Sequence, residues 1–247
     1  MTTYENVPIV IGGTLVLASS ASVDEVRPFE SRRGYGDHFV TPSGVHESGR
    51  KQVNLTVQYL GNTESAFIPF RATGIEYVAV GIHDKLYSGL VTSFSASADP
   101  VNPIDVSASF VCFSDPASLG EYLTGTDRVW HGGGSTITGL PSVAGDLVSF
   151  TVSMSQSFTP YYIVGEDQLS GLSRTDGTIS LSLSADEPFD AQEFPCVTGE
   201  TATLTLSDIC GGNSVSETID GLRMTSEKKE IAEGQVLSWS AEFVRFF

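Results

Sequence analysis

The sequence predicts an all-β protein built from two tandem, similar β-sandwich or β-barrel domains joined by a short linker helix. Three observations carry that reading. Apolar and polar residues alternate with a period of two in many short runs. Charged residues make up only 17% of the 247 residues, with Ser, Thr and Gly filling the gap left by the Lys, Glu and Arg of solvated helices. The chain also resembles itself at a nearly constant offset.

The first strand of each half shows the repeat. Gly13-Thr14-Leu15-Val16 resembles Gly145-Asp146-Leu147-Val148, 132 residues on, and Pro28-Phe29 falls on Pro160-Tyr161 at the same offset. Val53-Asn54-Leu55-Thr56-Val57 then matches Ile179-Ser180-Leu181-Ser182-Leu183 at 126, so the second half has the shorter preceding loop. Gly89-Leu90 matches Gly221-Leu222 at 132, and Phe110-Val111-Cys112-Phe113 matches Phe243-Val244-Arg245-Phe246 at 133. The repeat sets a first domain over 1–114, a linker over 115–137 and a second domain over 138–247. In the linker, Asp115 is placed as an N-cap with Pro116 at the first helical position, predicting a helix to Leu123. His131-Gly132-Gly133-Gly134 reads as a flexible break.

Strands are expected at 14–23, 52–59, 75–82, 87–97 and 104–113, with a turn at Asp99-Pro100-Val101-Asn102-Pro103. The second half predicts strands at 146–156, 178–185, 201–208, 219–227 and 235–246. Two long connections interrupt the pattern, Asp24–Arg50 and the shorter Gln156–Gly177. A long connection inside a compact domain is usually functional.

Composition narrows the function. The net charge is −17, with 13 acids and 7 bases in residues 1–125 against 17 and 6 in residues 126–247. A grip on DNA needs Lys or Arg opposite phosphates, so this balance disfavours one, while an acidic wall lets DNA slide past. Cys112, Cys196 and Cys210 have neither disulfide nor zinc spacing, and Cys112 reads as a small buried hydrophobe. No basic-then-apolar leader and no run of about 18 apolar residues is present, so neither a signal peptide nor a membrane span is expected. The sequon at Asn54-Leu55-Thr56 then has no role.

Chemistry-bearing motifs are sparse. His131-Gly132-Gly133-Gly134 resembles an oxyanion-hole segment, but the chain lacks G-x-S-x-G. Gly34-Tyr35-Gly36 lacks the third glycine of a dinucleotide loop. His38 and His46 share one loop, and Asp186, Glu187, Asp190 and Glu193 another; both read as solvated polar loops rather than metal sites. His83-Asp84 reads as a turn. Trp239 alternates into a strand and reads as core, whereas Trp130 reads as a surface residue. No nucleophile and base are brought together, so an enzyme, a catalytic site and a cofactor are not expected.

Three features together resemble the tail-tube (major tail) proteins of tailed bacteriophages. They are the Gly13-Thr14-Leu15-Val16 start, the long loop with its alternating second strand, and the ending Gly89-Leu90-Val91-Thr92-Ser93-Phe94-Ser95-Ala96-Ser97-Ala98 followed by Pro100-Val101-Asn102-Pro103-Ile104-Asp105-Val106-Ser107-Ala108-Ser109-Phe110. The resemblance covers most of both halves. It implies a virion protein, assembled in the host cytoplasm, that joins sheets sideways into rings and meets other tail proteins. DNA would pass through the lumen without specific binding. A fused pair implies a trimer with pseudo-sixfold symmetry. The long loops would contact the next ring, with Arg32, Arg33, Tyr35 and His38 in one and Glu166, Asp167 and Leu172 in the other. A capsid decoration, neck or collar protein, or a carbohydrate- or receptor-binding module at the tail tip, is the alternative.

Overall fold

Alternation becomes strand wherever one face can be buried. The computed structural model describes the chain except residues 1, 6–7, 27–28, 33–43, 48–51, 126–127, 141–146, 162–168, 186–198, 209, 211 and 231–237, together with a few side chains beside them. Strands of the first half are β1 (Thr2–Glu5), β2 (Ile9–Ile11), β3 (Thr14–Val26), β4 (Phe29–Arg32), β5 (Gly44–Glu47), β6 (Gln52–Leu60), β7 (Tyr77–Ile82), β8 (Lys85–Ala98) and β9 (Asp105–Cys112). Then follow β10 (Ala117–Ser118), β11 (His131–Thr138), β12 (Leu147–Tyr161), β13 (Gly171–Ala185), β14 (Glu200–Ser207), β15 (Ser214–Glu230) and β16 (Ser238–Phe246). The fold is all-β, as the alternation predicts.

Strands β9, β6, β3, β2, β7 and β8 pair in that order, and β8 pairs back onto β9, closing a six-stranded barrel. Gly12 and Gly13 both have positive φ and turn β2 into β3, a two-residue connection whose twist matches its strands. The barrel is plugged by a 3-10 turn (Glu64–Phe67) running into α1 (Ile68–Arg71), the single α-helix among the described residues. Phe67 packs edge-on to Phe94 at 5.1 Å, and Phe70 lies 5.4 Å from Phe94. Tyr59 is buried and donates its hydroxyl to Ala66 O at 2.7 Å, and burial raises its pKa. Each such aromatic contributes about 1.5–3 kcal/mol by leaving water.

The helix expected over Asp115–Leu123 does not form. Residues 115–125 instead run as a strap along the barrel. β10 pairs with β8, Leu119 N–H donates to Asp84 O at 2.9 Å, and Leu123 exchanges backbone hydrogen bonds with Gly13 and Leu15. Barrel edges offer backbone partners that a segment interrupted by Pro116 and Gly120 takes more readily than a helix. Trp130, expected at the surface, is fully buried. Its ring lies over Gly61, where a Cβ would come within 2.7 Å of Trp130 Cε3. The Gly132–Gly134 run is strand β11, not a flexible break. A Cβ at Gly132 would clash with Asp99 O, and one at Gly134 would stand 2.7 Å from Asp208 O. The glycines are explained by backbone against backbone.

The two halves use one ladder order. The first runs β3-β6-β9-β8-β7 and the second β12-β13-β16-β15-β14. Leu55 faces Phe110 as Leu181 faces Phe243, matching the 126 and 133 offsets. Bulges coincide as well. Register shifts fall between Val91 and Ser93 and between Met224 and Ser226, and again between Ala18 and Ser20 and between Leu147 and Ser149. The first-strand offset is 129, not 132, because Val23 faces Leu55 as Val152 faces Leu181. A period-two Ser/Ala pattern looks alike under small shifts, which is why the sequence match slipped. The halves are also not beads on a linker: β12 pairs with β8, and the buried apolar residues form one connected cluster.

The packing at Gly61 is testable. Gly61→Ala should lower stability by about 1–3 kcal/mol in denaturant melts, because the ring of Trp130 must move. Gly171→Ala, with nothing within 4 Å of its Cβ, should stay within about 0.5 kcal/mol of the parent.

Candidate assembly interface

From β3 to β13 one face of the continuous sheet is a carpet of hydroxyls; on β16 and β15 the same rows reach Val244 and Glu242, then Arg223 and Ser226. Following the register across strands, one row reads Ser22, Thr56, Ser109, Ser93, Ser155, Thr178 from β3 to β13. The next reads Ser20, Gln58, Ser107, Ser95, Ser153, Ser180, and a third Asp105, Ser97, Thr151, Ser182. From β3 to β13, Asp105 is the one charged residue in these rows. Neighbours satisfy each other: Ser153 and Ser180 hydroxyls meet at 2.7 Å, Ser155 and Thr178 at 2.9 Å, Thr56 and Ser109 at 3.2 Å. Hydroxyls engaged this way offer a polar, uncharged surface without the cations that anchor phosphate. The opposite face, with Phe94, Ala96, Ala108, Val152, Met154 and Leu181, is buried.

The halves meet where β8 changes neighbour. Lys85–Leu90 pairs with β7, and Ser93–Ala98, on the same edge, pairs with Phe150–Ser155 of β12. Gln156 locks the end of this join. It is buried, and its Nε2 donates to Val91 O at 2.8 Å and Ala72 O at 2.9 Å. Arg71 of α1 reaches across to Glu217 of β15, with Nε donating to Oε1 at 2.7 Å, and the carboxylates of Glu217 and Glu64 hold its guanidinium pKa up. Asn213 Nδ2 donates to Asn62 O at 2.6 Å. The second half is thus fixed to the first at several separate points.

The two long connections are hairpin arms at the same place in each half, between its first and second long strands. In the first, β4 pairs with β5. In the second, β12 and β13 continue as a ladder to Pro160↔Leu172 and Tyr161↔Gly171. Of the residues expected to contact a next ring, Arg32 sits on β4 and Leu172, half-buried, on β13. Arg33, Tyr35, His38, Glu166 and Asp167 lie outside the described residues, as do the Asp186–Glu193 cluster and Cys196. No group of three His, Cys, Asp or Glu that could hold a metal occurs among the described residues. Among the described residues, no helix is long and apolar enough to cross a membrane.

Other expectations resolve individually. Trp239 is core and donates Nε1–H to Glu227 at 2.8 Å. Cys112 is buried, which pushes its thiol up to about 12. Asp99 organises its turn by accepting from Val101 and Asn102 N–H at 2.9 and 2.8 Å, and the Asn102 amide and these N–H groups hold its carboxyl low. The burial of Trp130 removes the exposed aromatic on which a carbohydrate-binding reading leaned. Sequence reasoning missed the hydroxyl carpet and Gln156. The carpet was visible as Ser-x-Ser alternation in 93–97 and 151–155; Gln156 had no local signal.

Gln156→Glu tests the join. A carboxylate there faces two carbonyl oxygens and can donate only when protonated, so its folded-state pKa must lie above the unfolded value of about 4.3. The protonated form is favoured by the fold, so the variant stands nearest the parent below that pH and loses stability as pH rises. At pH 7 the deficit should reach about 2 kcal/mol or more in paired denaturant melts. A search of protein-family models finds no match to this chain, and no curated protein matches it.

Proposed function

We propose that the chain is a structural virion subunit that joins sheet edges into closed, stacked rings, forming the tail tube through which a tailed bacteriophage passes DNA. The observation that carries this reading is the join between halves. A four-strand module, β3-β6-β9-β8, is followed edge to edge by a second, β12-β13-β16-β15, with matching ladders and bulges. A join that a chain makes between two like modules can be made again between chains, and repetition by a fixed rotation closes a ring. Three chains of eight such strands give a sheet of about 24 strands. At ~4.8 Å spacing and ~40° tilt, its backbone diameter is about 50 Å, wide enough for a DNA duplex.

The hydroxyl carpet suits the lumen wall. It wets DNA without neutralising its phosphates, so the duplex is neither gripped nor halted. The net charge of −17 adds repulsion at longer range. The buried opposite face carries the barrel and its plug outward, and the two hairpin arms are placed to reach an adjacent ring. Closing the sheet also removes open strand edges, the feature that otherwise leads β-proteins to aggregate.

Electron microscopy and sedimentation of the purified chain test this reading. Rings of three chains and stacked tubes are expected; monodisperse monomers at high concentration would overturn it. Replacing Phe158–Thr175 with a two-residue Asn-Gly turn should leave rings but abolish stacking.

A further inference from the structure

The within-chain join specifies the between-chain one, residue by residue, and shows what stands in its way. In the ladder order, β15 corresponds to β8 at an offset of 133, since Val91 faces Phe110 as Met224 faces Phe243. β3 corresponds to β12 at 129. Carrying the pairs Ser93↔Ser155, Ser95↔Ser153 and Ser97↔Thr151 through those offsets gives Ser226↔Val26, Lys228↔Asp24 and Glu230↔Ser22. The β14 ladder on β15 ends at Leu222, and beyond it β16 is the strand neighbour of β15 among the described residues. This is the counterpart of the place where β8 passes from β7 to β12.

The receiving edge of β3 is not open along its whole length. β1 lies on it, pairing Thr2↔Val23 through Glu5↔Ser20. In the second half the corresponding edge of β12 carries β8. β1 therefore occupies part of the position that β15 of another copy needs. Its ladder has four residue pairs, whereas β8 and β12 share six. The overlap falls on Ala21–Val23, and the ladder of β1 stops short of Asp24–Val26.

We propose that β1 is a displaceable edge strand: β15 of a second copy docks first on Asp24–Val26 of β3, in the register Ser226↔Val26 and Lys228↔Asp24, then strips β1 from Ala21–Val23. This rests on the ring reading above and names its contact. The longer ladder replaces the shorter, so the exchange gains backbone pairing. Lys228 opposite Asp24 sets an attractive pair in the same register, although both residues also interact within their own chain. While β1 is in place, the subunit shields an edge that would otherwise recruit any strand.

The test uses the full chain with Cys196→Ser and Cys210→Ser, leaving buried Cys112. Thr3→Cys with Ser22→Cys, an opposed pair across β1 and β3, ties β1 down by a disulfide when oxidised. Loss of rings under oxidising conditions, with recovery on reduction, is expected. In a separate chain, Ser226→Cys with Val26→Cys should give disulfide-linked oligomers of whole chains on non-reducing gels. If the parent forms rings and the oxidised, tied chain forms them equally well, the displacement is wrong while the ring reading stands. If the parent and a chain lacking Thr2–Glu5 both remain monomers, both fall.

Discussion

The structure depends on the ladder between Ser93–Ala98 of β8 and Phe150–Ser155 of β12. Backbone N–H and C=O groups along β8 must be paired on both sides because its inner face is buried. β9 supplies one side from Leu90 to Ser97, and β10 pairs with Lys85 and Leu86. β7 supplies the other only as far as Leu90, just before the register shift of β8 against β9 between Val91 and Ser93. Something must take up the remaining edge, and within the chain that is β12. Phe94 and Ala96 on one strand and Met154 and Val152 on the other bury the apolar side of the join. Gln156 then satisfies the Val91 and Ala72 carbonyls that this change of neighbour leaves inside. Barrel closure and sheet continuation are thus two outcomes of one strand having two successive partners on the same edge.

The same strands produce two chemically opposite faces. Because strand side chains alternate, a Ser-Phe-Ser-Ala-Ser run on β8 contributes to the apolar core and the hydroxyl carpet at once. The carpet is held by pairs across strands, and each pair satisfies hydrogen-bonding capacity without a fixed charge. Among the described residues, Arg71 pairs with Glu217 and Glu64 at the barrel plug, and Arg128 with Asp208 beside β11. From β3 to β13 the rows of the carpet hold one ionisable side chain, Asp105, so that part of the face changes little with salt or pH.

Much of this was legible. Period-two alternation located β3, β6, β8, β9 and β16 closely, and the Phe-Val-x-Phe endings located β9 and β16 as counterparts, while β12 and β13 extend to Tyr161 and from Gly171 into what reads as a connection. What the sequence could not convey was who pairs with whom. The apparent linker was misread because its signals, Asp-Pro and three glycines, are local, whereas its structure is decided by distant backbone: Leu123 by Gly13 and Leu15, Gly132 by Asp99, Trp130 by Gly61. The join at β8 was hidden for a related reason. Ser93–Ala98 reads as an ordinary half-buried strand whether its edge meets β7, β12 or another chain.

The differences between the halves are as informative as the likeness. Where β8 carries Ser95-Ala96-Ser97, β15 carries Lys228-Lys229-Glu230. Small neutral residues suit a join made once, during folding, against a tethered partner at high effective concentration. A strand end that meets partners in solution faces every other exposed edge, and Lys on an edge discourages indiscriminate pairing because each charge must find a counter-charge or stay in water. Asp24 and Glu25 on β3 provide acids near the proposed register, so in the proposed ring the charges that repel a wrong edge would select the right one. β1 adds a second restraint on the receiving side. On the proposed ring reading, the inner join is built for permanence and the outer edges for choosing a partner.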